Sequence, residues 1–187
     1  RNLFQRAYLL SIGAWAMKNS SKVVCLTNSD ATEVAGLGIG RRNIEVIPVA
    51  VDPAALAPSQ EKQDTIVWIG RLVPEKGLEI LLRAAAKVRE RRNIRLFIVG
   101  DGPERNRLLN LACALKLSGS VNFRPHANRS EVCNLLRNSG IFVLPSLKEG
   151  LPLALLEAMA SGNAVLASDL PSLRETLADA GLYFQRG

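Results

Sequence analysis

From Thr65 onward the chain alternates short apolar runs with longer amphipathic ones, and this alternation restricts the fold more than any other feature. Ile66 to Ile69, Ile94 to Val99, Val121 to Phe123, Ile141 to Leu144, Ala164 to Ala167 and Leu182 to Phe184 read as strands. Gly77 to Arg91, Glu104 to Leu117, a helix capped by Ser130 and running to Asn138, Leu153 to Ala160 and Leu173 to Ala178 read as helices. Strands that alternate with helices in this way indicate βαβ units, hence an α/β, Rossmann-like, doubly wound parallel sheet. Ligands of such sheets bind at the carboxyl ends of the strands. The segments to watch are therefore Gly70-Arg71, Gly100-Asp101-Gly102, Arg124 to Arg129 and Pro145 to Gly150.

The first third is less regular. Leu3 to Met17 reads as a mostly apolar helix, Val23 to Thr27 as a buried strand, and Ser29 as the cap of a short helix ending near Ala35. Gly36, Gly38 and Gly40 break the pattern before a strand from Ile44 to Val49. Val51 to Asp64, with Pro53 and Pro58, reads as a connecting segment. The 187 residues, 48% of them hydrophobic, suit one domain with a proper core plus an extra piece. Because residue 1 is Arg and the chain opens inside a helical pattern, a longer parent protein is expected.

Composition narrows the function classes. The net charge of +7 suits several anionic partners, but the basic residues are scattered and only 5% of residues are aromatic, so nucleic acid is not expected. Cys25, Cys113 and Cys133 lie far apart in apolar runs, which points to buried free thiols in a reducing cytosol and not to a disulfide framework or zinc. No signal peptide is evident, and the uncharged stretch Ala7 to Met17 is too short to span a bilayer. The sole histidine, His126, excludes an HExxH site, and no GxSxG elbow or acidic pair after a strand is present, so neither a hydrolase triad nor a metal-bound diphosphate is indicated.

Three motifs remain. In GRLVPEKG, Gly70 ends a strand, Arg71 offers a planar donor fork for phosphate oxygens, and Lys76 is placed in the first helical turn, where the helix dipole disfavours a cation unless an anion sits beside it. A surface Arg and Lys flanking a plain loop is the competing reading. In EGLPLALLE, Glu149 follows a strand, Gly150 and Pro152 turn into a helix whose free amides suit a phosphate, and Glu157 lies inside an apolar helix. A carboxylate there needs hydrogen-bond donors, such as sugar hydroxyls, unless it faces solvent. The Gly100-Asp101-Gly102-Pro103 turn lacks the full GxGxxG because residue 105 is Arg, and it reads equally as a tight turn before a helix.

The succession GRLVPEKG, FIVGDGPER, VNFRPHANRSEV and VLPSLKEGLPLALLEAMASGNAVLASDLPSLRETL resembles glycosyltransferase family 4, the retaining group 1 enzymes with the GT-B fold. The resemblance runs from about Thr65 to Gly187; upstream, VVCLTNSDATEV and IEVIPVAVDPAALAP resemble the end of that family's N-terminal domain and its linker. It implies residues 1–50 as the end of an acceptor domain, 51–64 as linker, and 65–187 as a nucleotide-sugar-binding domain lacking its terminal helices. It implies a nucleoside-diphosphate sugar, UDP- or GDP-linked, as substrate, with no cofactor and no metal. Gly70, Arg71 and Lys76 would serve the donor diphosphate, with Gly150 and Leu153 at the helix start. Glu149 would be the catalytic residue beside the donor sugar, Glu157 would hold the ribose hydroxyls, and the backbone near Ala127 and Arg129 would carry the base. The chain departs from the family pattern at Pro125, often Gly, and at Val49-Ala50 in place of the usual Asn-Gly of the linker.

On this reading the chain is the donor-binding half of a cytoplasmic glycosyltransferase of polysaccharide biosynthesis, inactive alone, whose glycan or lipid-linked acceptor is held by the N-terminal domain. Two alternatives remain open: a nucleotide-binding module that works with a partner chain, and a nucleotide-sugar epimerase on the same fold. The Leu3 to Met17 helix either packs on the N-terminal sheet or lies on the cytoplasmic face of a membrane, since Arg1, Arg6, Lys18 and Lys22 flank or interrupt it.

Overall fold

The computed structural model describes residues 9–185. In chain order the elements are α1 (Ala14–Lys18), β1 (Val23–Cys25), α2 (Asn28–Ala35), β2 (Ile44–Val46), β3 (Gln63–Ile69), α3 (Leu78–Arg89), β4 (Leu96–Val99), α4 (Arg105–Ala114), β5 (Val121–Arg124), α5 (Arg129–Asn138), β6 (Ser139–Leu144), α6 (Leu153–Ala160), β7 (Ala164–Ser168), α7 (Pro171–Leu177) and β8 (Gly181–Phe184). Among the described residues the main sheet has six strands in the order β5-β4-β3-β6-β7-β8, all parallel, which is the α/β doubly wound sheet expected. The chain winds outward from β3 to β5, then returns across the sheet to lay β6 against the other side of β3. The order thus reverses between β3 and β6, and the crevice at their carboxyl ends is the place where such a sheet binds ligands.

Both faces of the sheet are covered. Along β3, Val67 packs with Leu136, Phe142, Leu155 and Val165 on one face, while Trp68 packs with Leu72, Leu82, Ile98 and Leu108 on the other. β6 splits the same way, with Phe142 and Leu144 on the first face and Val143 on the second. Residues two apart share a face, so strands buried on both sides read as continuous apolar runs. In α3 the buried Leu78, Leu81, Leu82 and Ala85 follow the helical period and form its core-facing stripe.

Two tight approaches set the loops at the carboxyl ends. Gly100 has φ +132°, and a Cβ there would lie 1.8 Å from the carbonyl oxygen of Gly70. Gly77 has φ +64°, and its Cβ would lie 1.9 Å from the carbonyl oxygen of Pro145. The loops after β3, β4 and β6 therefore pack backbone on backbone.

The segment before β3 is anchored. Leu56 is fully buried in the first core, Arg137 Nε donates to the Ala57 carbonyl (2.8 Å), and Lys62 Nζ donates to the Ser139 carbonyl (2.9 Å). β1 and β2 form a separate parallel pair, and α2 between them packs on α7. The Glu175 carboxylate accepts from Asn28 N (2.7 Å), Asn28 Nδ2 (2.6 Å) and Ser29 N (3.1 Å), satisfying amides that open α2.

Several sequence expectations need correction. Thr27, not Ser29, caps α2: it is extended and its Oγ1 receives the amide of Asp30 (3.0 Å), whereas Ser29 is already helical. Asn128, not Ser130, caps α5, in a reciprocal capping box with Glu131. α3 and α4 are shorter than read, and β2 ends at Val46. Cys25 and Cys133 are buried free thiols, but Cys113 is exposed on α4. The helix read over Leu3 to Met17 lies partly outside the described residues; within them Leu9–Gly13 forms a π-turn leading into α1. No helix of the described residues is long and apolar enough to cross a membrane.

Two outcomes follow. Gly100→Ala should lower stability by about 2 kcal/mol or more in denaturant unfolding, because a backbone contact must shift. The control Gly119→Ala, with open space around its Cβ, should fall within about 0.5 kcal/mol of the parent. Burial alone pushes the Glu175 carboxyl up, but the hydrogen bonds from Asn28 and Ser29 outweigh it and hold it below the ordinary carboxylate value. Its contribution to docking is thus complete above that ordinary value and is lost as pH falls through the depressed one. Hydrogen exchange should show protection of the Asn28 and Ser29 amides at neutral pH, reduced on acidification and in Glu175→Gln.

Candidate functional site

The loop after β3 runs from Gly70 through a 3₁₀ turn at Pro74–Lys76 to Gly77, which opens α3. Gly70 extends the ladder, its amide donating to the Val99 carbonyl (3.0 Å). Arg71 is exposed just beyond it and forms no ion pair with another described residue. Lys76 precedes α3 instead of lying in its first turn, so the helix-dipole argument does not place it; a carboxylate does. Lys76 Nζ lies 2.6 Å from Glu149 Oε1, joining the β3 loop to the β6 loop across the switch point.

Glu149 is nearly enclosed, its side chain 5% exposed against 23% for Lys76. Ser146 Oγ donates to the same Oε1 (2.6 Å), Ser172 Oγ donates to the Glu149 carbonyl (2.9 Å), and the Leu147 amide donates to the Glu75 carbonyl (2.7 Å). A side-chain pair and a backbone bond thus tie the two loops together. Gly150 and Pro152 then lead into α6, whose first residue, Leu153, is half exposed and whose opening amides receive no side-chain cap.

The second glutamate has its own cation. Glu157 is only 7% exposed, which removes the reading of a carboxylate on the solvent face of α6. Arg129 Nη1 donates to Glu157 Oε1, reaching over from the first turn of α5. This pairing with the carboxylate pushes the Arg129 guanidinium above its ordinary value. Ala127 is half-buried in the loop before α5, and His126 beside it is exposed. At the start of that loop Arg124 lies over the Phe97 ring, 4.9 Å from its centroid.

The structure therefore joins Lys76 to Glu149 and Arg129 to Glu157. Gly70 and Arg71 at the end of β3, and Gly150 and Leu153 at the entry to α6, join neither ion pair. Sequence reasoning missed Ser146 and Ser172, and also Asp30, whose Oδ2 would be 3.6 Å from a Cβ on Gly150, so that α2 reaches the crevice. Ser146 was within reach of it, standing between the strand end and Glu149; Ser172 and Asp30 carry no local signal. A groove of about 320 Å³ is lined by Val73, Leu78 and Leu147 and bordered by the Glu79–Arg107–Glu104 ion-pair chain. It contains neither Arg71 nor Glu157.

Six parallel strands whose order reverses between β3 and β6, with cations and carboxylates paired in the loops and helices beyond them, define a doubly wound α/β domain. The chain belongs to the glycosyl transferases group 1 family, whose sequence model matches residues 55–185. The galactosyltransferase of Escherichia coli that acts from UDP-Gal on α-D-GlcNAc-diphosphoundecaprenol is 32% identical over 180 residues, covering 83% of this chain and 44% of that protein. The 2-deoxystreptamine glucosyltransferase of Streptomyces kanamyceticus is 28% identical over 189 residues, covering 92% and 49%. The chain thus spans less than half the length of these curated relatives. Anabaena HepE, solved with UDP and glucose, superposes with a TM-score of 0.85 at 19% identity, covering 95% of this chain and 53% of that one. Sucrose-phosphate synthase from Thermosynechococcus elongatus gives 0.82 at 22%, covering 95% and 48%. The structural neighbours are GT-B glycosyltransferases, and the fold is shared with them.

Lys76→Met leaves the enclosed Glu149 with Ser146 as its remaining side-chain donor. It should cost about 1–3 kcal/mol in chemical unfolding, and Lys76→Met/Glu149→Gln should recover part of that loss, since no unpaired charge remains.

Proposed function

We propose that this chain binds a nucleoside-diphosphate sugar, UDP- or GDP-linked, in the crevice between β3 and β6. It forms the donor half of a retaining glycosyltransferase of the family 4 type. The observation that carries the reading is the pairing of both glutamates of EGLPLALLE with cations from other elements, Lys76 across the point where the strand order reverses and Arg129 from the first turn of α5. Residues 65–187 are the nucleotide-sugar domain, 51–64 the linker and 1–50 the end of the acceptor domain. The HepE complex and the UDP-Gal-dependent relative support a donor of this class.

The chemistry asked of the residues is electrostatic. When the glycosidic bond to the diphosphate breaks, negative charge builds on the leaving oxygens. Arg71, exposed and without an ion-pair partner among the described residues, offers its donor fork, and Lys76 adds a second positive charge. These two do what a divalent cation does elsewhere, so transfer is proposed to need no metal. Gly70 lets the diphosphate approach the backbone, and the amide of Gly150 and the uncapped amides that open α6 at Leu153 face the same charge. Glu149 is held in place by Lys76 and Ser146 beside the donor sugar, and Glu157 accepts from the ribose hydroxyls. The base rests on backbone near Ala127 and Arg129. The acceptor, a glycan or lipid-linked sugar, is assigned to the N-terminal domain, and transfer to a whole enzyme working in the cytoplasm or at the cytoplasmic membrane face, in polysaccharide biosynthesis. The chain alone is proposed to bind donor without turnover.

Calorimetric titration with UDP and with GDP tests this directly. One of the two should bind, and Arg71→Ala/Lys76→Ala should weaken it by about a hundredfold or more, two charge-assisted contacts being lost. No binding by the parent chain, or equal binding by the double variant, would contradict the proposal.

A further inference from the structure

Arg129 enters the family reading only through its backbone, yet its side chain makes the ion pair on which Glu157 depends. Glu157 sits in the apolar α6 beside Leu155 and Ala158, which are fully buried, and a carboxylate there requires a donor. Arg129 supplies it from α5, an element that Asn128 and Glu131 fix by a reciprocal capping box. The bond uses Oε1, and Oε2 takes no hydrogen bond from another described residue. A carboxylate has room for several donors, so one oxygen is tethered and the other is free for a ligand hydroxyl. The two partners differ in exposure: the Arg129 side chain is 59% exposed and that of Glu157 10%. The Arg129 side chain is thus largely solvent-facing while the carboxylate it tethers is largely enclosed.

We infer that Arg129 is a positioning residue for Glu157, holding the carboxylate by Oε1 so that Oε2 is presented to the ribose hydroxyls of the nucleotide. The inference rests on the proposed donor site. It makes the ribose contact a property of the pair: recognition of the 2′- and 3′-hydroxyls depends on Arg129, although Arg129 does not touch them. A tether that merely neutralised a buried charge would support folding without affecting which sugar the nucleotide carries.

The discriminating readout is the ratio of affinities for UDP and 2′-deoxy-UDP, and for GDP and 2′-deoxy-GDP, measured by calorimetry on the full chain. The parent should prefer the ribonucleotide by about tenfold, the worth of a hydrogen bond to a charged group. Arg129→Met should bring the ratio to within about twofold of unity, Arg129→Lys should retain most of it, and Glu157→Gln should lose it. Arg129→Met/Glu157→Gln removes both charges and keeps the test available if Arg129→Met alone does not fold. Its ratio should equal that of Glu157→Gln. A full ratio in Arg129→Met, or a further change in the double variant relative to Glu157→Gln, would overturn the inference and leave donor binding intact. No ribose preference in the parent would overturn the Glu157 contact and the inference with it. Absence of binding to either ribonucleotide would overturn the donor site itself.

Discussion

The return of the chain from β5 to the far side of β3 is the constraint on which the rest depends. Because β6 pairs with β3 and not with β5, the loops after these two strands rise side by side. A parallel ladder fixes their heights, and Gly77 packing against the Pro145 carbonyl fixes their separation. Only then can Lys76 reach Glu149 and the Leu147 amide reach the Glu75 carbonyl. Residues more than 70 positions apart become one wall of a crevice, and none of them would meet in a sheet ordered as the chain runs.

The site is also built to keep charge where it is needed. Burying a lone carboxylate is unfavourable, and each glutamate of the pair is relieved by a cation from another element. The pairing leaves Arg71 as the exposed cation of the first motif. A nucleoside diphosphate would meet one lysine already oriented by a carboxylate and the Arg71 guanidinium, which has no ion-pair partner among the described residues, so the ordering left for binding to supply falls mainly on Arg71. Asp30, close to Gly150, adds a negative group from α2 at the crevice margin, and Glu175 holds α2 there. The Glu175 carboxylate and its three hydrogen bonds add to the packing of α2 on α7 in setting this margin.

Much of the fold was legible in the sequence because its signal is local. Continuous apolar runs such as Phe142-Val143-Leu144 can be buried on both faces only in a covered parallel sheet, and the stripe Leu78, Leu81, Leu82, Ala85 has a helical period. Helix starts were read less well, because several capping side chains stand in a row. Thr27 and Ser29, or Asn128 and Ser130, compete on equal local terms, and the choice falls to whichever backbone is still extended. The candidate site was legible as residue types at strand ends, and its partnerships were not. That Glu157 is buried follows from the packing of α6 against β6 and β7, not from its neighbours in sequence. The Glu175 contact to Asn28 spans 147 positions and has no sequence signal at all. Cys113 is exposed although its neighbours are apolar, because an apolar stretch of helix still presents one side to solvent.

We propose the β3/β6 crevice, framed by Lys76–Glu149 and Arg129–Glu157, as the nucleotide site. A crystal structure of the chain soaked with UDP, and a second with GDP, tests it most directly. Diphosphate density is expected against Gly70, Arg71 and Lys76, with the ribose beside Glu157. Nucleotide bound instead in the groove lined by Val73, Leu78 and Leu147, or anywhere away from both ion pairs, would overturn that assignment.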